Sequence, residues 1–133
     1  MKTVFADAFY FVALLNRADQ HHAKVIGFAR QLRDDVLTTE WVLAEFADAL
    51  AASSARSLVP QFVHELERDP KVKIIPANGD LFRRGFERYA ERPDKQWSLT
   101  DCVSFVAMED AELREALTGD RHFEQAGFIA LLK

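Results

Sequence analysis

One cysteine, Cys102, stands among 133 residues, so neither an internal disulfide framework nor a cysteine-rich zinc site can form. It lies in an apolar helical pattern and reads as a small core residue. No apolar run approaches the roughly 20 residues needed to span a bilayer. Asp7 also interrupts the first apolar run, residues 3–6, where a signal peptide needs a longer one. The expectation is a cytoplasmic protein with no membrane segment. An excess of basic charge is missing as well: 17 Lys and Arg against 21 Asp and Glu leave a formal charge of -4. That argues against a broad phosphate-binding surface, although acids gathered to hold a cation would contribute to the same negative count. Internal repeats are not evident.

What is present is the composition of a globular protein, 49% hydrophobic and 29% charged, long enough for a single domain over residues 1–133. A β-rich run over 3–6 ends in Asp7 and gives way to a helix carrying Phe9, Phe11 and Leu14, whose apolar face suits the core better than a partner. A second helix is expected to start at Asp19-Gln20-His21-His22 and to end near Arg33, with both histidines on the surface. A strand over 36–38 precedes a helix capped by Thr39, and Ser53-Ser54 separates that helix from another over 58–69. A third strand over 72–76 leads to a helix capped by Asn78, with Leu81, Phe82, Phe86 and Tyr89 as its apolar residues. Arg83, Arg84 and Arg88 on that helix read as a solvated face. After an exposed loop at 92–95 come a helix over 98–110, a strand over 116–118, a short helical piece and a last strand over 128–131. Strands separated by helices in this way imply right-handed crossovers, hence an α/β fold: a three-layer α/β/α sandwich with a mostly parallel central sheet. The functional crevice of such sheets lies beyond the carboxyl ends of the strands.

Four acids draw attention against that frame. Asp101 shares a helix face with Phe105 and Met108, an expensive place for a carboxylate. Ser98-Leu99-Thr100-Asp101 equally reads as a capping box. Asp7 and Asp120 each follow a strand, and each alone reads equally as a helix N-cap. Glu45 sits among Val42, Ala49 and Ala52 on the inner flank of its helix, where the alternatives are a partly buried ion pair or a rim position whose stem packs on the sheet. Taken together, the four point to a shared cation, because like charges about 4 Å apart repel by roughly 4 kcal/mol at an effective dielectric near 20. Oxygen ligands without thiols favour Mg²⁺ or Mn²⁺ over Zn²⁺, and the chemistry such a centre supports is phosphodiester hydrolysis.

The segments Phe5-Ala6-Asp7, Thr39-Glu40-Trp41-Val42-Leu43-Ala44-Glu45, Ser98-Leu99-Thr100-Asp101-Cys102-Val103-Ser104-Phe105 and Leu117-Thr118-Gly119-Asp120-Arg121-His122-Phe123, in that order and spacing, resemble the PIN-domain nucleases. The similarity is strongest to the small stand-alone members, many of them VapC-type toxins of toxin-antitoxin pairs. The resemblance implies a Mg²⁺- or Mn²⁺-dependent endoribonuclease acting on RNA, with Asp7, Glu45, Asp101 and Asp120 as metal ligands and catalytic acids. It further implies Thr118 as a polar support, an antitoxin partner and a homodimer. Arg121 and His122 are second candidates, for support or for contact with substrate phosphate. One departure stands out: Ala8 follows Asp7 where many relatives carry Ser, Thr or Asn. It motivates a competing reading, a catalytically weak or inactive binding scaffold on the same fold. A dehalogenase-type phosphatase fits less well, since Asp7 is followed by Ala8-Phe9 rather than a second acid two residues on. A receiver domain is equally disfavoured, because Pro76-Ala77-Asn78 occupies the place of its phosphoacceptor.

Overall fold

A computed structural model describes residues 2–133. The elements alternate as the periodicity requires: β1 (Thr3–Ala6), α1 (Ala8–Leu15), α2 (His22–Gln31), β2 (Asp35–Thr39), α3 (Glu40–Ala49), α4 (Val59–Arg68), β3 (Val72–Ile75), α5 (Gly79–Glu91), α6 (Leu99–Asp110), β4 (Glu115–Leu117), α7 (Arg121–Gln125) and β5 (Ile129–Ala130). The five strands form one sheet in the order β3-β2-β1-β4-β5, and every pairing is parallel. Phe5 is opposite Leu37 on one side and Ala116 on the other, so β1 lies at the centre. Val4, Phe5 and Ala6 are accordingly fully buried, as a parallel strand covered on both faces demands.

The chain moves outward from β1 through β2 to β3, then returns across the sheet to place β4 on the other side of β1. Right-handed crossovers therefore put α1 to α4 over one face and α5 to α7 over the other. Each face has its own aromatic cluster. Phe11, Phe46 and Phe62 meet at centroid distances of 5.6–5.9 Å on the first. On the second, Phe105 lies edge-on to both Trp97 and Phe123 at 5.1 Å. Residues Asp101 to Met108 of α6 are all buried, so this helix is enclosed around its whole circumference.

Several boundaries differ from expectation for local reasons. The second helix begins at His22 rather than Asp19, because the Asp19 carboxylate accepts the His21 N–H at 2.8 Å and forms a turn before the helix. His21 and His22 are half-buried, not surface residues: the His21 ring packs on Phe9 at 4.9 Å, and His22 Nδ1 donates to the Ala13 carbonyl at 2.7 Å. The largest difference is on α5. Leu81 and Gly85 face inward, while Phe82, Phe86 and Tyr89 are 42%, 50% and 49% exposed. Gly85 decides the rotation, since a β-carbon there would come within 2.5 Å of Val103 Cγ2 and 3.1 Å of Val103 Cα. Arg83 is exposed as expected, but the other two arginines of α5 are not merely solvated. Arg84 makes a two-pronged pair with Asp110 at 2.6 and 2.8 Å, and Arg88 reaches Glu109 at 2.6 Å, tying α5 to α6.

Candidate active site

The switch in strand order falls between β1 and β4, and each strand is followed by an acid, Asp7 directly after β1 and Asp120 three residues after β4. Asp7 occupies the N-cap position of α1, yet its side chain accepts no capping hydrogen bond from that helix. Its Oδ2 instead accepts the Thr118 hydroxyl at 2.9 Å, across 111 residues of sequence. The carboxylate is thus turned toward β4, and only 4% of the residue is exposed. Thr118 lies just past β4 rather than inside it, and this frees its hydroxyl for two tasks: donating to Asp7 and accepting the Asp120 N–H at 3.0 Å. One side chain therefore fixes the relative position of two strand ends.

Asp120 does cap its helix, with Oδ1 accepting the His122 N–H at 2.9 Å. The capping box of α6 is also complete: Ser98 Oγ accepts the Asp101 N–H at 3.0 Å, and Asp101 Oδ2 accepts the Ser98 N–H at 3.1 Å. Capping and convergence coexist. Asp101 is 6% exposed, and His122 Nδ1 donates to its Oδ2 at 3.0 Å while lying 3.6 Å from Asp120 Oδ1. One ligand atom each of Asp101, Asp120 and His122 lies within 4.8 Å of the others, a spacing that fits one cation. At that spacing the group does not include Asp7 or Glu45.

Electrostatics joins the remaining two acids to the group. Burial raises the Asp7 carboxyl to about 7, with the Thr118 hydroxyl opposing the shift and the charges of Asp101 and Glu45 adding to it. Glu45 is raised first by burial and then by Asp101, Asp120 and Asp48. Asp101 is raised by burial, opposed by the Ser98 N–H and by His122, and raised further by Asp120. Asp101 is thus the acid whose charge bears on both Asp7 and Glu45. Glu45 itself is half-buried, but Ala49 and Ala52, expected beside it on an inner flank, are exposed; it stands at the rim of the crevice. Its carboxylate makes no hydrogen bond or ion pair within the chain among the described residues, so the ion-pair alternative finds no partner. Burial pushes the Cys102 thiol up to about 11, in keeping with an inert core residue.

The donor set of carboxylates and one imidazole suits an oxygen-preferring divalent cation. Three carboxylates pushed toward their neutral forms are what such an ion would reverse. His122 is the residue whose part the sequence understated, since it enters the tightest group as a potential third donor. Its only sequence signal is the position two residues after Asp120. Ala8 offers Asp7 no side-chain hydrogen bond, and the one Asp7 accepts comes from Thr118, just beyond the neighbouring strand β4.

A sequence comparison with curated proteins finds no match. Among solved structures, the chain is similar to VapC20 of Mycobacterium tuberculosis, a Sarcin-Ricin loop cleaving toxin, with 22% identity and a TM-score of 0.86 over 96% of this chain and 98% of that one. FitAcB from Neisseria gonorrhoeae follows the same fold with 17% identity and a TM-score of 0.64, covering 96% of this chain and 94% of that one. VapBC2 from Rickettsia felis, bound to a DNA fragment from its promoter, does so with 11% identity and a TM-score of 0.65 over 96% of both. The family model of the PIN domain matches residues 4–129, from the first strand to the last, and this chain belongs to the PIN domain family.

Proposed function

We propose that the chain is a Mg²⁺- or Mn²⁺-dependent endoribonuclease and the toxin of a toxin-antitoxin pair. The observation that carries this reading is the close group of Asp101, Asp120 and His122 beyond the β1–β4 switch point, with Asp7 and Glu45 near enough for the charges to act on one another, in a chain of the PIN family. Asp101 and Asp120 would hold the ion, with His122 as a third ligand once Nδ1 gives up the proton it donates to Asp101, and Asp7 and Glu45 would complete the charge around it. When bound, the ion supplies Lewis-acid polarisation of a phosphoryl group and lowers the pKa of water. The protein's own contribution is orientation: Thr118 fixes Asp7, the Ser98 N–H fixes Asp101, and the His122 backbone N–H fixes Asp120. Single-stranded loops are the expected substrates, because their bases are accessible whereas an A-form duplex hides its major-groove edges.

The test is incubation of the purified protein with total cellular RNA, with and without Mn²⁺, followed by end mapping. Discrete new ends that require Mn²⁺ are expected from the wild type and none from Asp101→Asn, whose amide oxygen can still accept the Ser98 N–H and keep the fold. Equal cleavage by the two proteins would discard the assignment in favour of an inactive scaffold.

Two surfaces support the expected partners. A groove of about 300 Å³ between α1, α2 and α4 has an apolar floor that includes Leu14, Leu32 and Phe62 and a rim in which Asp34, Glu65 and Asp69 outnumber Lys71. It suits an antitoxin helix with an apolar face and basic flanks. The exposed Phe82, Phe86 and Tyr89 of α5 suit a homodimer seam. Arg83 and Glu87 beside them have no ion pair within the chain among the described residues, and a two-fold axis near Gly85 would set each against its opposite. Phe86→Glu is expected to turn a dimer into a monomer by light scattering, and a wild type that is monomeric throughout would remove the dimer.

A further inference from the structure

Next to the acids, on the far side of His122, lies an open cavity of about 240 Å³ lined by Asp94, Lys95, Gln96, Arg121, His122 and Gln125. Its wall is polar, and its hydrogen-bonding sense can be worked out group by group. The Asp94 carboxylate is engaged by Arg92 through two hydrogen bonds of 2.9 Å, which hold its pKa down at about 2. Its charge is thereby offset by Arg92, although it keeps spare acceptor sites. Trp97 Nε1 donates to Gln125 Oε1 at 3.0 Å, and indole N–H has no other role than donor, so this contact fixes the amide orientation. What Gln125 has left to offer is its NH₂ group. Arg121 has no carboxylate partner among the described residues, and Lys95 has only a distant one, Asp94 at 3.9 Å. The groups left over are thus mostly donors: a guanidinium, an ammonium and an amide NH₂.

His122 is common to both places. With Nδ1 turned to the two carboxylates, it is the partition between the acid group and the donor-lined cavity. A cavity of donors one side chain away from an acid group calls for a ligand rich in acceptor oxygens that is covalently tied to whatever occupies the acid group. A polynucleotide satisfies this, with one phosphate at the acids and the next at the donors. We propose that the cavity bounded by Lys95, Arg121 and Gln125 is a subsite for the RNA backbone phosphate adjacent to the scissile one. Arg121 is its principal contact, Lys95 supplies a second charge, and Trp97 positions Gln125 without touching substrate. The proposal rests on the nuclease reading for its choice of ligand, and it needs no broad basic surface in a chain of net charge -4, since two cations at one place make the contact.

The experiment separates the subsite from the nuclease reading. Binding of a short fluorescent single-stranded RNA of mixed sequence is followed by anisotropy in EDTA across a salt series, and cleavage of the same RNA is followed in Mn²⁺. The proteins are wild type, Arg121→Ala, Lys95→Ala and Gln125→Glu, the last replacing the NH₂ donor with an acceptor of the same size. Arg121→Ala is expected to weaken binding about fivefold to tenfold and to make the salt dependence shallower by about 0.7, the value for one lost phosphate contact on a single strand. In cleavage its KM should rise while kcat stays within about twofold, because the contact is uniform to ground and transition states. Gln125→Glu should weaken binding at least as much as Lys95→Ala. A methylphosphonate at the linkage next to the cut should lower wild-type affinity and leave Arg121→Ala unaffected. Equal affinities and salt slopes in all four proteins would overturn the subsite, whatever the cleavage result. A wild type that leaves RNA intact in Mn²⁺ while the slope differences persist would remove the nuclease reading and leave the phosphate site standing.

Discussion

Asp7 depends on one hydroxyl hydrogen, that of Thr118, and replacing the hydroxyl by a methyl group of similar size isolates it. Thr118→Val is expected to cost about 1–3 kcal/mol in urea unfolding, because Asp7 and the Asp120 N–H both lose a buried partner; Thr118→Ser should recover most of it. Ionisation of Asp7 acts in the opposite direction. With its carboxyl raised to about 7 in the folded protein against about 4 in an unfolded chain, the folded state holds more protons between those values. Its contribution therefore makes the metal-free protein progressively less stable as pH rises from about 4 to about 7, with the loss complete above that. Asp7→Asn should flatten this dependence and raise the melting temperature at about pH 8 in EDTA by roughly 5 °C. Melts that show no gain at high pH would contradict the buried, repelled carboxylate.

At the level of elements, the contact between α5 and α6 turns on Gly85, whose missing β-carbon would stand 2.5 Å from Val103 Cγ2. Gly85→Ala is expected to destabilise the protein by about 1–3 kcal/mol despite the better helix propensity of alanine, and Val103→Ala added to it should restore part of the loss, as denaturant midpoints would show. Phe105→Ala, which empties the centre of the second aromatic cluster, should cost about 3–5 kcal/mol. The order of strands and helices was legible in the sequence because hydrophobic period and caps are local: Thr39, Asn78 and Ser98 all cap as their positions suggest. The facing of α5 was not, since Leu81, Phe82, Phe86 and Tyr89 leave two rotations of similar apolar content and the decision lies with a glycine meeting another helix. Of the four acids, Asp101 and Asp120 lie in one close group with His122, while Asp7 and Glu45 stand outside it. Nothing near Asp7 in sequence announces its hydrogen bond from Thr118, and the exposure of Ala49 and Ala52 beside Glu45 depends on tertiary packing that helical period does not record.

For the whole molecule, a cation that binds only the folded state must stabilise it by mass action. Mn²⁺ at about 100 times its dissociation constant should add about 2.7 kcal/mol, seen as a rise of several degrees in melting temperature. Asp101→Asn and Asp120→Asn should each abolish most of that rise, and a wild type whose melting is indifferent to Mn²⁺ would refute the shared-cation arrangement. The strand order adds a consequence in time. Asp7 lies in the first strand-to-helix turn and Asp120 in the last, and they meet only because β4 pairs with β1 across the whole intervening chain. Non-local pairing of this kind is a late event in folding. A chain still emerging from the ribosome, or one cut short before residue 117, has Asp7 with no Thr118 beside it and Asp101 with no Asp120. Such a fragment lacks the Asp101–Asp120–His122 group, so the proposed cation site comes into being only with the last elements of the chain, and a protein truncated before Thr118 should show no Mn²⁺-dependent gain in stability.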